Sequence, residues 1–207
     1  MAAAPIREPE NEPGTTDPLR PVAPGKQTPD QPADEETDTD VPAAEGDTTP
    51  QSAPPPVQYG DADLPPQVAR MRTALMEAAR SGRIEELRPV FQQNEMPPTV
   101  SFEGADDPID YLRSMSGDPE GREVLALLLE ILEAGWVHVD QGTPQEMYVW
   151  PYFARWPLEG LDPRQEVELY RILTAYDVEE MRRHGGYIFY RVGIGPDGTL
   201  HYFVAGH

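Results

Sequence analysis

VGIGPDGTLHYF, residues 192–203, decides how the C-terminal half of the chain is read. Gly193, Gly195 and Gly198 fall in a literal G-x-G-x-x-G spacing. That pattern cradles a dinucleotide when a strand leads in and a helix leads out, so that the pyrophosphate meets the helix N-terminus. Here the glycines are followed by TLHYFVAG, which reads as a strand, and only nine residues remain after Gly198. No later acidic residue exists to hold a ribose. Pro196 presets φ for the second position of a turn, and Asp197-Gly198 supplies a residue tolerant of positive φ. The spacing therefore predicts a β-hairpin joining YIFYRVGI (187–194) to LHYFVAG (200–206).

Working outward, WVHVD (136–140) and MYVWPYF (147–153) are rich in β-branched and aromatic residues and read as a second pair of strands. Between the pairs, Asp162, Pro163 and Gln165 give an N-cap, a proline at the first helical position and a capping-box partner. The helix they open carries Val167, Tyr170 and Leu173. Thr174 caps another, with Val178 and Met181, which Gly185 and Gly186 stop. Ahead of the strands, residues 119–133 place Val124, Leu125, Leu127, Leu128, Leu129, Ile131 and Leu132 in nearly every direction. Only Glu123, Glu130 and Glu133 mark a polar stripe, so this helix is expected to be buried at the centre. Further upstream, Pro65 and Pro66 open a helix with Val68, Met71, Leu75 and Ala78 on one face. Ile84, Leu87 and Phe91 restart the period, with Pro89 predicting a kink or a late start. The fold class is α+β: a helical N-terminal part around a buried central helix, packed with a small, mostly antiparallel sheet ending in a C-terminal hairpin.

Composition divides the 207 residues into two regions. Residues 1–66 carry 15 of the 25 prolines, 14 acidic side chains against three basic ones, and a single aromatic, Tyr59. Such a stretch buries too little apolar surface to offset the entropy of ordering it, so residues 1–64 are expected to be a disordered acidic, proline-rich tail. Residues 65–207 are expected to form one domain. The formal net charge of −21 excludes binding that depends on neutralising phosphates with clustered Lys and Arg, and so argues against nucleic acid. The absence of cysteine excludes disulfides, thiolate nucleophiles and Cys-ligated zinc. The longest apolar run, VLALLLEIL, is about half of the roughly 20 residues a membrane helix needs, so no transmembrane segment is expected. The N-terminal MAAAPIREPENEPG shows no apolar run of the signal-peptide kind.

YVWPYF, VELYR, the FYRVGI and PDG that close on the hairpin, and the terminal FVAG together resemble a family of uncharacterised alphaproteobacterial proteins. The resemblance covers roughly residues 80–207. Members of that family carry no assigned activity and are usually predicted to be exported. What the resemblance implies is a periplasmic or secreted bacterial protein, with a cytoplasmic location as the alternative.

Candidate site residues come from the aromatic belt. Tyr148, Trp150, Tyr152 and Trp156 crowd one segment, and Tyr190, Arg191 and Tyr202 come from the final hairpin. Period two puts Tyr148, Trp150 and Tyr152 on one strand face. If one helical layer covers the sheet, some rings lie outside the core and form a shelf for a sugar, a peptide or a protein. The alternative is that the rings fill a small core. Arg191 can grip a carboxylate bidentately or pair with a helix carboxylate inside the fold. The leading function is thus a non-enzymatic binding or accessory module of the bacterial envelope, with an unknown protein or cell-envelope ligand as partner. No cofactor and no metal are expected. The competing reading is a small hydrolase using His138, Asp140 and His201, and a third is a purely structural interaction protein.

Overall fold

A computed structural model describes residues 54–206, and the tail expected over residues 1–64 lies outside them as far as residue 53. Helix α1 (Pro66–Arg80) begins with proline where the missing N–H has no intrahelical acceptor, and it buries Val68, Met71 and Leu75. A 3-10 turn (Ile84–Glu86) precedes α2 (Leu87–Phe91). Pro89 falls in the first turn of α2, so the helix starts late, as the sequence predicts. Asp107 caps α3 (Pro108–Ser114) by accepting from the backbone N–H groups of Ile109 and Asp110. Helix α4 (Arg122–Glu133) buries Val124, Leu125, Leu128, Ile131 and Leu132 and packs against α1.

Four strands follow: β1 (Val137–Val139), β2 (Met147–Trp150), β3 (Arg191–Ile194) and β4 (Leu200–Val204). They pair antiparallel in the order β1-β2-β3-β4. Helices α5 (Pro163–Ile172) and α6 (Ala175–His184) connect β2 to β3; Asp162 and Gln165 form the predicted capping box, and the predicted cap Thr174 forms a second box with Asp177. Gly185 ends α6 in the left-handed region at φ 95°. The glycine-rich stretch is a hairpin. The Gly195 N–H donates to the Thr199 carbonyl (2.8 Å), and the Gly198 N–H donates to the Gly195 carbonyl (2.9 Å). Gly198 sits at φ 90°, and Asp197 accepts from the Thr199 N–H at 2.9 Å.

Two strands are shorter than the alternation suggests. MYVWPYF leaves the sheet at Trp150, because Pro151 has no N–H to donate, and Tyr152–Arg155 winds into a 3-10 turn. YIFYRVGI joins the sheet only from Arg191.

The sheet is covered on both faces. On one, Trp136, Tyr148, Trp150, Tyr190, Val192, Ile194, Leu200 and Phe203 pack with α1 to α4 in a single core. On the other, Val137, Val149, Tyr152 and Phe153 pack with Leu169, Leu173, Val178 and Met181 of α5 and α6. Phe153 and Phe203 are each 1% exposed, and full burial of such a ring contributes about 2 kcal/mol. Each sheet edge carries one further bridge. Gln58 exchanges hydrogen bonds with Trp136 beside β1 (2.9 and 2.8 Å). Beside β4, Thr99 donates to His201 (2.9 Å) and accepts from Phe203 (3.0 Å).

The bridge at Gln58 moves the domain boundary. Residues 57–61, assigned to the tail by composition, are bound to the folded unit. The Tyr59 hydroxyl donates to Glu168 Oε2 at 2.9 Å, the Trp136 Nε1–H donates to the Gly60 carbonyl at 2.9 Å, and Arg72 pairs with Asp61 at 2.6 Å. Gly135 permits this approach: a Cβ there would run into the side chains of Val57, Tyr59 and Tyr152.

Candidate functional site

The aromatic shelf predicted from period two is mostly core. Tyr148, Trp150, Tyr152 and Tyr190 are 6%, 0%, 0% and 8% exposed. Tyr148 and Trp150 pack on the Trp136 ring at centroid distances of 5.5 and 6.0 Å. Tyr152 lies beyond the end of β2, and the 3-10 turn carries it into the opposite core, its ring tilted 33° against that of Phe153 at a centroid distance of 4.0 Å. The expectation failed because α5 and α6 supply a second helical layer, which leaves no face of the sheet over for a broad shelf. The indole N–H of Trp150 and the hydroxyl of Tyr152 are buried without a hydrogen-bond partner, so neither is presented to a ligand.

Trp156, Arg191 and Tyr202 behave differently: all three are partly exposed. Arg191 and Tyr202 project from the same face of the β3–β4 hairpin, the face on which α5 and α6 pack. Tyr202 stands opposite Gly193 in the register, and its ring lies over that glycine beside the Met147 sulfur. A third side chain, absent from the sequence reading, completes the corner. Arg155, at the end of the 3-10 turn after β2, faces the Tyr202 hydroxyl. It also lines a surface cleft of about 780 Å³ with Phe153, Trp156, Tyr187 and Pro54–Pro55.

Charge sets this corner apart. Arg191 is half-buried, yet among the described residues no carboxylate lies within ion-pair distance of it; its guanidinium is 5.8 Å from the Phe102 ring centroid. The internal ion pair with a helix carboxylate does not form. Burial pushes the Arg191 pKa down, and Arg155 adds to this by repulsion. Burial also raises the Tyr202 phenol, against the pull of both arginines. Of the other arginines, Arg70, Arg122 and Arg164 are exposed, and several of the rest are paired with carboxylates. In the cleft of about 620 Å³ beside α4, Arg171 is held by Glu130 (2.7 Å) and Glu133 (3.3 Å). Arg155 and Arg191 flank the Tyr202 hydroxyl, which is an acceptor for Arg155, while Asp140 acts on the same phenol and Glu159 lines the cleft; the guanidinium donors not used there can bind a carboxylate or another oxyanion.

The hydrolase residues are not assembled. His138 Nε2 is 2.8 Å from Glu146 Oε1, and its ring stacks on Tyr148 at 4.1 Å. Asp140 sits past the end of β1, in a turn at φ 54°. His201 is exposed on β4, with β2 and β3 between it and β1, where the register of β3 and β4 shifts. A nucleophile–base–orienter set needs neighbours in hydrogen-bond reach, and these three residues are on different parts of the sheet. Among the described residues, no group of three or more His, Asp or Glu side chains is placed to hold a metal ion, and no helix is long and apolar enough to cross a membrane. The chain matches no protein-family model, no curated protein and no solved structure.

Proposed function

We propose that this domain is a binding module of the bacterial envelope that takes a carboxylate-bearing ligand on Arg155, Arg191 and Tyr202. Trp156 and the neighbouring cleft receive the apolar part of that ligand. The observation that carries the reading is Arg191, a half-buried cation with no carboxylate in ion-pair distance among the described residues, in a chain of net charge −21. Charge-assisted hydrogen bonds contribute about 1.5–3 kcal/mol each, so one bidentate carboxylate is enough for measurable affinity. The envelope setting rests on the family resemblance, and cell fractionation with an antibody to the domain tests it separately.

A glutamate-rich peptide is the probe for the site, with the matching glutamine-rich peptide as control. In titrations followed by backbone amide shifts, the acidic peptide is expected to perturb Arg191, Val192 and Tyr202. Arg191→Gln is expected to weaken its binding about tenfold or more, the equivalent of one lost charge-assisted contact. Equal binding of the two peptides, or an unchanged affinity in Arg191→Gln, would falsify the reading.

A further inference from the structure

The cleft of about 620 Å³ beside α4 contains none of the residues of the oxyanion corner, and its chemistry is the opposite. Its floor is apolar. Leu127 of α4, Ile172 of α5 and Phe189 are each partly exposed there, and the Phe189 ring stands edge-on to the buried Tyr190 ring at 5.4 Å. Met115 and Tyr170, two of the large apolar side chains that the fold leaves exposed, line the same cleft. Val167, one turn before Tyr170 on α5, is exposed as well. Apolar residues scattered singly over a surface need no explanation, but several gathered at one cleft mark a contact surface.

The charged groups of this cleft are Glu123, Glu130, Asp177 and Arg171. Arg171 is already spent on Glu130 and Glu133. Glu123 accepts from the Gly117 N–H and Asp177 from the Thr174 hydroxyl, hydrogen bonds that leave both charges in place. Neither has an arginine within ion-pair distance among the described residues. Each stands in the first turn of a helix, where a carboxylate offsets the dipole. That role accounts for an acid on α4 and another on α6. It does not account for both lining one apolar cleft whose arginine is paired. Walls of low dielectric lined by one sign of charge focus the field into a cleft. Burial, then the charges of Tyr111 and Glu123, raise the Tyr190 phenol, so the field of Glu123 reaches the cleft wall.

The occupant that complements this surface carries apolar side chains for the floor and cations for the two carboxylates. The volume lies within the roughly 300–1,000 Å³ of ligand clefts. Both sheet edges are bridged, at Gln58 and Thr99, so a partner engages the domain through side chains rather than by adding a strand. We infer that this cleft docks a basic amphipathic peptide segment of a partner protein. Its apolar side chains rest on Leu127, Ile172 and Phe189, and its Lys or Arg side chains meet Glu123 and Asp177. The inference stands independently of the oxyanion corner.

The probe is a short capped peptide of Leu and Lys, titrated into the full chain. Two controls replace every Lys by Gln or every Leu by Ser. Amide shifts are expected at Leu127, Thr174 and Phe189, with association that slows as salt rises towards 1 M, where the Debye length is about 3 Å. Both controls are expected to bind at least about tenfold more weakly. Glu123→Gln/Asp177→Asn keeps an acceptor for Gly117 and Thr174 and is expected to weaken the probe by about tenfold. Ala126→Arg places a strong helix former at an exposed position of α4 in the cleft, filling it and reversing its charge, and is expected to abolish binding. It touches no core side chain, so it remains decisive if the double variant loosens the α6 cap. Equal binding of the Ser control reduces the cleft to an acidic surface that attracts any polycation, and equal binding of the Gln control removes the carboxylates; either overturns the inference. Absence of binding, shifts elsewhere than the cleft, or an unchanged affinity in Ala126→Arg overturns it too.

Discussion

Gly193 shows how much of the candidate site depends on one absent side chain. It lies between Tyr148-bearing β2 and β4, and a Cβ placed on it would run into both the Tyr202 ring and the Met147 sulfur. Gly193→Ala is therefore expected to swing Tyr202 off the hairpin, lower stability by about 1–3 kcal/mol through overpacking, and weaken the acidic peptide. Denaturant midpoints and peptide titrations on the same sample check this; unchanged affinity alongside lost stability would remove Tyr202 from the site. Of the three side chains at the corner, two were legible in the sequence. Arg191 stands out as a cation in a run of large apolar residues, and Tyr202 as a ring on the paired strand. Arg155 carries no such signal. It falls just past the strand read over residues 147–153, and only the 3-10 turn after Pro151 aims the guanidinium back at Tyr202.

At the scale of elements, local chemistry was the most readable layer. Asp162, Thr174, Gly185 and the Pro196–Gly198 turn each do what their residue types require, because caps and turns are settled by a few neighbouring atoms. The Asp107 cap of α3 is of the same kind. Asp107 is held down at a pKa of about 2, first by Arg88, 2.6 Å away, and then by the N–H groups it caps. Its folded pKa is below the unfolded one, so its contribution is present above about pH 4 and is lost as the pH falls towards 2. Asp107→Asn keeps an acceptor at the cap but cannot titrate. Its acid-unfolding curve is expected to be flatter than the parent's between those two pH values, and parallel curves would exclude the pair as a source of acid sensitivity. Layers were harder to read than caps. Alternation along β2 assigns Tyr148 and Trp150 to one face, but it carries no information on what covers the other. That depends on α5 and α6 returning across the sheet, and so the belt was expected to be partly exposed.

For the molecule as a whole, the boundary of the fold was the least legible feature. PPPVQYG has the composition of the tail, yet Val57 and Tyr59 pack against Gly135, and the Tyr59 hydroxyl bonds Glu168 on α5. The signal was present in one residue: Tyr59 is the single aromatic of residues 1–66. Partial burial and the bond to Glu168 push its phenol up to about 12. Since the folded pKa exceeds the unfolded value of 10, the contact contributes fully below pH 10 and is lost as the pH rises from 10 to about 12. Tyr59→Phe is accordingly expected to lose less stability than the parent across that alkaline window, although it is weaker at neutral pH. Melting temperatures measured at pH 7, 10 and 12 decide it, and identical alkaline losses would mean that residues 57–61 contribute nothing through this bond.

The bridges at Gln58 and Thr99 leave neither β1 nor β4 with a free run of backbone donors and acceptors. A protein that docks by lending a strand to its host, as many peptide-binding domains require, finds no place to pair here. Recognition is left to side chains, and a partner's sequence will matter through its charges and rings and very little through its propensity to extend.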